Sequence, residues 1–129
     1  MIAGLGTDLV SVDRVAGLLD RFGLRMARKV LGSEELAEFG QRGDTSGFLA
    51  RRLAAKEAAV KALGTGFRDG VRWHDVQVGH DVLGRPELHL SGGALQRLQV
   101  LAASPRLWVS ISDERHYAMA TVVIEDMTV

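Results

Sequence analysis

Two acids, Asp8 and Glu57, sit in surroundings that suit a charge poorly. Asp8 closes the run Ile2-Ala3-Gly4-Leu5-Gly6-Thr7, which is almost wholly apolar or glycine. A carboxylate there needs a counter-charge, a hydrogen-bond donor or a metal to offset its lost hydration. It could equally cap the turn before a following helix, and spacing alone leaves both uses open. Glu57 lies within the Ala- and Leu-rich stretch from Phe48 to Leu63. On a helix Leu49, Leu53, Val60 and Leu63 form one stripe, with Glu57 on its shoulder, one turn from Leu53 and from Lys61. Lys61 at i+4 is oriented for an ordinary surface ion pair with Glu57. Lys56 projects within the apolar stripe itself, where an ammonium must snorkel or meet an anion.

Joined, these residues outline one chemistry. Two carboxylates suit a hard cation such as Mg²⁺, which is held by one or two carboxylates together with substrate phosphates. Lys56 and Lys61 flank Glu57 and offer point charges to phosphate oxygens. Gly64 and Gly66 follow one turn later, where bare backbone can approach a ligand. The negative end of a helix dipole does not favour anions, so lysines and metal would have to hold them.

The elements that must bring Asp8 to Glu57 are read from patterning. Ile2 to Val10 reads as a strand. Ser11 or Asp13 opens a helix to about Val30, with a break at Gly23. Ser33 caps a helix ending near Phe39, with Glu34 and Glu35 in its first turn. Residues 40–47 are polar or glycine and read as a loop. Phe48 to Leu63 carries no breaker and is the clearest helix, closed by Gly64-Thr65-Gly66. Val71 to Val78 and Glu87 to Leu90 read as paired strands around the turn Gly84-Arg85-Pro86. Ala94 to Ala102 reads as a helix. Leu107 to Ser112 and Tyr117 to Glu125 alternate as strands, joined by the hairpin Asp113-Glu114-Arg115-His116. The sum is an α+β fold, an antiparallel sheet with packed helices, in one domain over 1–129.

Composition narrows the function. The 129 residues carry 16 Lys+Arg and 16 Asp+Glu, and a neutral chain argues against bulk nucleic-acid or membrane binding. No cysteine means no disulfide, thiolate nucleophile or Cys-type zinc site. Aromatics at 5% are too few for a base-stacking platform. The first eight residues lack a basic region and Asp8 interrupts them, so no signal peptide is expected and the reading is cytoplasmic. No stretch approaches the ~18 apolar residues of a membrane span.

The segments Gly4-Leu5-Gly6-Thr7-Asp8-Leu9 and Arg52-Leu53-Ala54-Ala55-Lys56-Glu57-Ala58-Ala59-Val60-Lys61-Ala62-Leu63-Gly64-Thr65-Gly66 resemble the two signatures of the holo-[acyl-carrier-protein] synthases. These are the small phosphopantetheinyl transferases, with G-[IVL]-G-x-D followed by K-E-[AS]-x-x-K. The order of the motifs, their separation and the chain length make the combination specific. The ending from Val109 to Glu125 resembles the family's closing hairpin. The resemblance implies an α+β subunit assembled as a homotrimer, with coenzyme A in clefts between subunits. It implies that Asp8 and Glu57 ligate Mg²⁺ with the pyrophosphate, and that Lys61 contacts phosphate. The implied reaction moves 4′-phosphopantetheine to a serine of apo acyl carrier protein and releases adenosine 3′,5′-bisphosphate. The serine needs a base, either Glu57 or a metal-bound water held by a carboxylate, and the sequence leaves both open. Pro86, in the turn Gly84-Arg85-Pro86, is a candidate for touching the nucleotide. Two positions depart from the family pattern. Leu53 stands where Phe or Trp is frequent, and Asp113 where many members carry His.

Arg14, Arg21, Arg25, Arg28 and Lys29 share roughly 100° of one face of an unbroken helix. Only Asp20 opposes them between Arg14 and Leu31. Such a face is either plain solvated surface or a dock for an acidic protein, and acyl carrier proteins resemble such a partner. Two other functions stay open: a coenzyme A- or carrier-binding module with degraded chemistry, and an oligomer whose basic helix binds RNA.

Overall fold

The computed structural model describes residues 1–128. It is α+β, with five strands and five helices in chain order. β1 (Ile2–Ser11) pairs antiparallel with β5 (Tyr117–Asp126), which pairs antiparallel with β4 (Pro105–Asp113), giving the order β1-β5-β4. β2 (Val76–His80) and β3 (Pro86–Leu90) form a separate antiparallel pair. Along β5, Ala118, Ala120, Val122 and Ile124 are buried while the intervening residues face outward, the period-two signature of a half-covered sheet.

α4 (Thr45–Leu63) is the axis of the molecule. The three-stranded sheet covers one side of it. The others are covered by α1 (Val12–Phe22), α3 (Ser33–Gly40), β2 and α5 (Gly92–Leu101). The single stripe expected on this helix is therefore too narrow. Thirteen of its residues are buried, including Ala50, Ala54, Ala55, Ala58, Ala59 and Ala62. A helix of small side chains lets neighbours pack close on several sides, which apolar counting on one face does not show. Gly64 ends it in the left-handed region at φ 79°, with its N–H donating to Lys61 O at 3.0 Å.

Other boundaries move for physical reasons. α4 starts at Thr45 rather than Phe48, because buried Phe48 and the ion pair between Arg51 and Asp44 (3.1 Å) secure a first turn of weak propensity. Ser33 is the first residue of α3 and not its cap. The cap position is Gly32, whose N–H donates to Glu35 Oε1 at 3.1 Å. The strand expected from Val71 begins only at Val76, since Trp73–Asp75 form a 3₁₀ turn closed by Arg72 N–H donating to Asp75 at 3.1 Å. Gly23 does break the first helix, at φ 58° and ψ −142°, so α1 ends at Phe22 and α2 (Leu24–Val30) sets off in a new direction. Ser11 caps α1, its side chain accepting from Arg14 N–H at 3.2 Å.

Candidate active site

Gly4, Gly6 and Asp8 alternate along β1 and share the face turned to α4. A Cβ on Gly6 would land on the Ala58 carbonyl oxygen, and one on Gly4 on the Ala62 carbonyl oxygen. The two glycines thus let the strand lie against the helix backbone. That contact carries Asp8 to the part of α4 that bears Glu57 and Lys61. The Asp8 carboxylate accepts from Lys61 Nζ at 2.9 Å, and Lys61 donates also to Thr7 O at 3.0 Å. Asp8 is mostly covered, at 18% side-chain exposure, whereas Lys61 is 52% exposed. The i+4 partner expected of Lys61, Glu57, is displaced by an acid 53 residues away in sequence.

Glu57 stands beside this pair. Burial pushes its carboxyl above the ordinary range, the Asp8 charge pushes it further, and Lys61 opposes both. Two carboxylates that repel each other across a half-buried site form a place where additional positive charge is favourable. The donors are all oxygen, as a hard divalent cation requires. Among the described residues no third His, Cys, Asp or Glu joins them to complete a protein-only cage. The remaining ligands of such an ion would come from water and substrate oxygens.

Lys56 requires a correction. Expected to hold a phosphate, it is fully buried. Its Nζ donates to Val30 O at 2.7 Å, Glu35 Oε1 at 2.7 Å and Trp73 O at 3.2 Å. An ammonium has three protons, so none is left for a ligand. Adjacent side chains on a helix diverge by about 100°, which turns Glu57 toward Asp8 on β1 and Lys56 toward Val30, Glu35 and Trp73. Gly64 lines a groove of about 400 Å³ beside Thr65 and Arg97, and Gly66 follows at φ 63°.

Pro86 lies elsewhere. It lines a groove of about 230 Å³ with Arg42, Phe48, Arg51, Gly84 and Ile111, a set that contains none of Asp8, Glu57 or Lys61. The β2–β3 turn beside it is rigid, because Asp81 Oδ1 accepts from the Leu83 and Arg85 N–H groups, both at 2.9 Å. Arg51 there is held by Asp44 (3.1 Å) and by Asp113 (3.2 Å), the residue that departs from the family pattern. Sequence reasoning passed over Arg51, Arg52 and the reach of Glu35. Two adjacent arginines in the first half of an Ala- and Leu-rich helix were the available signal. Arg14, Arg21, Arg25 and Arg28 are all exposed, but the break at Gly23 divides them between α1 and α2. Between these helices Leu18, Phe22 and Met26 line a shallow apolar groove flanked by Arg25 and Lys29.

Residues 4–122 match the profile of the 4′-phosphopantetheinyl transferase superfamily. Solved structures with the same fold include the holo-[acyl-carrier-protein] synthase of Neisseria meningitidis, with TM-score 0.88 and 43% identity over 98% of this chain and all of that one. That of Bacillus anthracis, in complex with CoA (3′,5′-ADP), has TM-score 0.80 and 33% identity over 98% of each chain. A curated relative, the holo-[acyl-carrier-protein] synthase of Acidithiobacillus ferrooxidans, is 55% identical over 126 residues, 97% of this chain and 98% of its own. The chain belongs to the holo-[acyl-carrier-protein] synthase family.

Proposed function

We propose that this chain, as one unit over 1–129, transfers 4′-phosphopantetheine from coenzyme A to a serine of apo acyl carrier protein. The carrying observation is the meeting of Asp8, Glu57 and Lys61, from elements far apart in sequence, at one half-covered spot. The serine oxygen attacks the phosphorus that bears pantetheine. A new O–P bond forms, the bond to the bridging pyrophosphate oxygen breaks, and adenosine 3′,5′-bisphosphate leaves. Such a displacement depends on alignment and charge neutralisation more than on covalent help.

Asp8 and Glu57 are the residues that would hold Mg²⁺, which supplies Lewis-acid neutralisation of phosphate charge when bound. Lys61, whose ammonium is half exposed, swings its free proton to a phosphate oxygen while Asp8 anchors it. The serine proton goes to a base at this spot, either the Glu57 carboxylate itself or a water held by one of the two carboxylates. Gly64 and Gly66 leave backbone open beside the diphosphate.

Pro86 and Arg51 belong to the same reading through assembly. They lie in a groove apart from Asp8 and Glu57, so a homotrimer that lays one subunit's groove against the next subunit's acids completes the nucleotide site. The outer sheet face supports this: Leu5, Leu9, Trp108 and Met119 are 65%, 62%, 40% and 45% exposed on strands whose other face is buried. The basic residues Arg14, Arg21, Arg25 and Arg28 receive the acidic carrier. Among the described residues no helix is long and apolar enough to cross a membrane. The proposed location is the cytoplasm.

Intact-mass spectrometry of an apo carrier protein incubated with the chain, coenzyme A and Mg²⁺ tests the reading. The carrier gains the mass of phosphopantetheine, and loses that gain when EDTA replaces Mg²⁺. No gain with a competent carrier defeats the transferase reading, and gain undiminished by EDTA defeats the metal.

A further inference from the structure

α2 carries Arg25 and Arg28 yet is only seven residues long and buries just Ala27 and Val30. Its C-terminal carbonyls are capped from outside. Val30 O accepts from Lys56 Nζ at 2.7 Å, and Arg28 O faces His74 Nε2 at 2.9 Å. Cations and donors at this end of a helix satisfy its orphan carbonyls and suit its dipole. The Lys56 charge is in turn met by Glu35, 2% exposed, whose second oxygen accepts from Arg52 Nη1 at 3.1 Å. Arg52 continues the chain of bonds to Val78 O at 3.0 Å and Glu38 Oε2 at 3.2 Å. Among the described residues no buried side-chain polar atom lacks a partner. α4 does not depend on these bonds for its own place, because Gly4 and Gly6 seat it directly on β1.

We infer that Lys56 and Glu35 are positioning residues for the transfer reaction: together they pin α2, with Arg25 and Arg28, at a set distance from Glu57, one residue along α4 from Lys56. This rests on the reading of the basic residues as the carrier dock. The buried network registers the docked carrier serine against the catalytic acids without touching either substrate. Breaking it loosens α2, while Asp8, Glu57 and Lys61 stay in place for coenzyme A. A misplacement of about 1 Å remote from the chemistry is enough to cost on the order of a hundredfold in rate.

The test is steady-state kinetics on the Glu35→Gln/Lys56→Met double variant, varying apo carrier and coenzyme A in turn. The double change removes one buried charge of each sign and leaves Arg52 paired with Glu38. The expected result is a fall of about tenfold or more in kcat/KM for carrier, with KM for coenzyme A within about twofold of wild type. A purely structural role would lower melting temperature and active fraction but leave kcat/KM for carrier, measured per folded enzyme, unchanged, and that result in a folded variant overturns the inference. If the double variant does not fold, Glu35→Asp, which keeps the charge and shortens the reach by one methylene, takes its place. The same two measurements then apply: a lower kcat/KM for carrier per folded enzyme, with KM for coenzyme A kept, supports the inference, and an unchanged kcat/KM for carrier overturns it. Arg25→Glu/Arg28→Glu separates the premises. If it raises the carrier KM and the network variants do not, the inference alone fails. If it does not, the docking reading fails and takes the inference with it.

Discussion

At the scale of single residues, one ion pair has to be separated from one reaction. Lys61 and Asp8 make a half-exposed bridge, and such pairs contribute about 0–1 kcal/mol to stability. Lys61→Met should therefore leave the denaturation midpoint nearly unchanged while lowering turnover strongly. Glu57→Gln and Asp8→Asn should each lower kcat by on the order of a hundredfold or more with the fold intact, as circular dichroism and single-turnover assays would show. Wild-type rates in either acid variant would remove that residue from the site. Asp126 gives a pH test unrelated to the chemistry. Its carboxylate is held down to about 2 by the hydroxyl and amide of Thr128 and by the amides of Ser104 and Ala103. Its folded value is below its unfolded one, so its contribution to stability is present above about pH 4 and disappears as pH falls toward 2. Asp126→Asn should flatten that part of the acid limb in urea midpoints measured between pH 5 and 2. An unchanged limb would show that the turn at Asp126 is not coupled to unfolding.

At the scale of elements, the crossing of β1 over α4 decides whether the site exists. Gly6 has an ordinary strand conformation, so Gly6→Ala meets no backbone strain of its own. The added methyl meets the Ala58 carbonyl and the Ala62 amide nitrogen, and backbone cannot rotate aside as a side chain would. The strand must rise from the helix, at an overpacking cost of about 1–3 kcal/mol. Because Asp8 travels with the strand, activity should fall by more than the loss of folded protein explains. Thermal melting paired with kcat measured on the folded fraction checks this, and a variant with reduced stability but full turnover would show that the crossing is not what sets the acids. The glycine-spaced strand and the alanine-rich helix were both readable as elements from the sequence. Their contact was not, since a glycine seen alone does not say whether it serves a turn or a neighbour. Lys56 illustrates the reverse. Its misfit in an apolar stripe was legible, but the choice between a ligand phosphate and buried Glu35 depended on how α3 packs.

At the scale of the whole molecule, Pro86 and Arg51 line a groove apart from Asp8 and Glu57, and the proposed trimer would bring the two together through the exposed sheet face. If the proposed trimer forms through this face, Leu5→Glu/Leu9→Glu should convert it to monomers in sedimentation or light scattering and abolish transfer together with it. Monomers that retain full activity would show that one subunit holds a complete site. The chain order of strands and helices, the α+β class and the pair of signature motifs were determined by local pattern, because alternation, helix periodicity and glycine punctuation act over a few residues. Tertiary structure alone decided that Lys61 bonds Asp8 rather than Glu57, that Lys56 faces Glu35, and that Arg51 sits between Asp44 and Asp113. Each of these is a choice among several charges of the right sign. Distance and burial after folding select the partner, and neither is a property of the sequence near the residue.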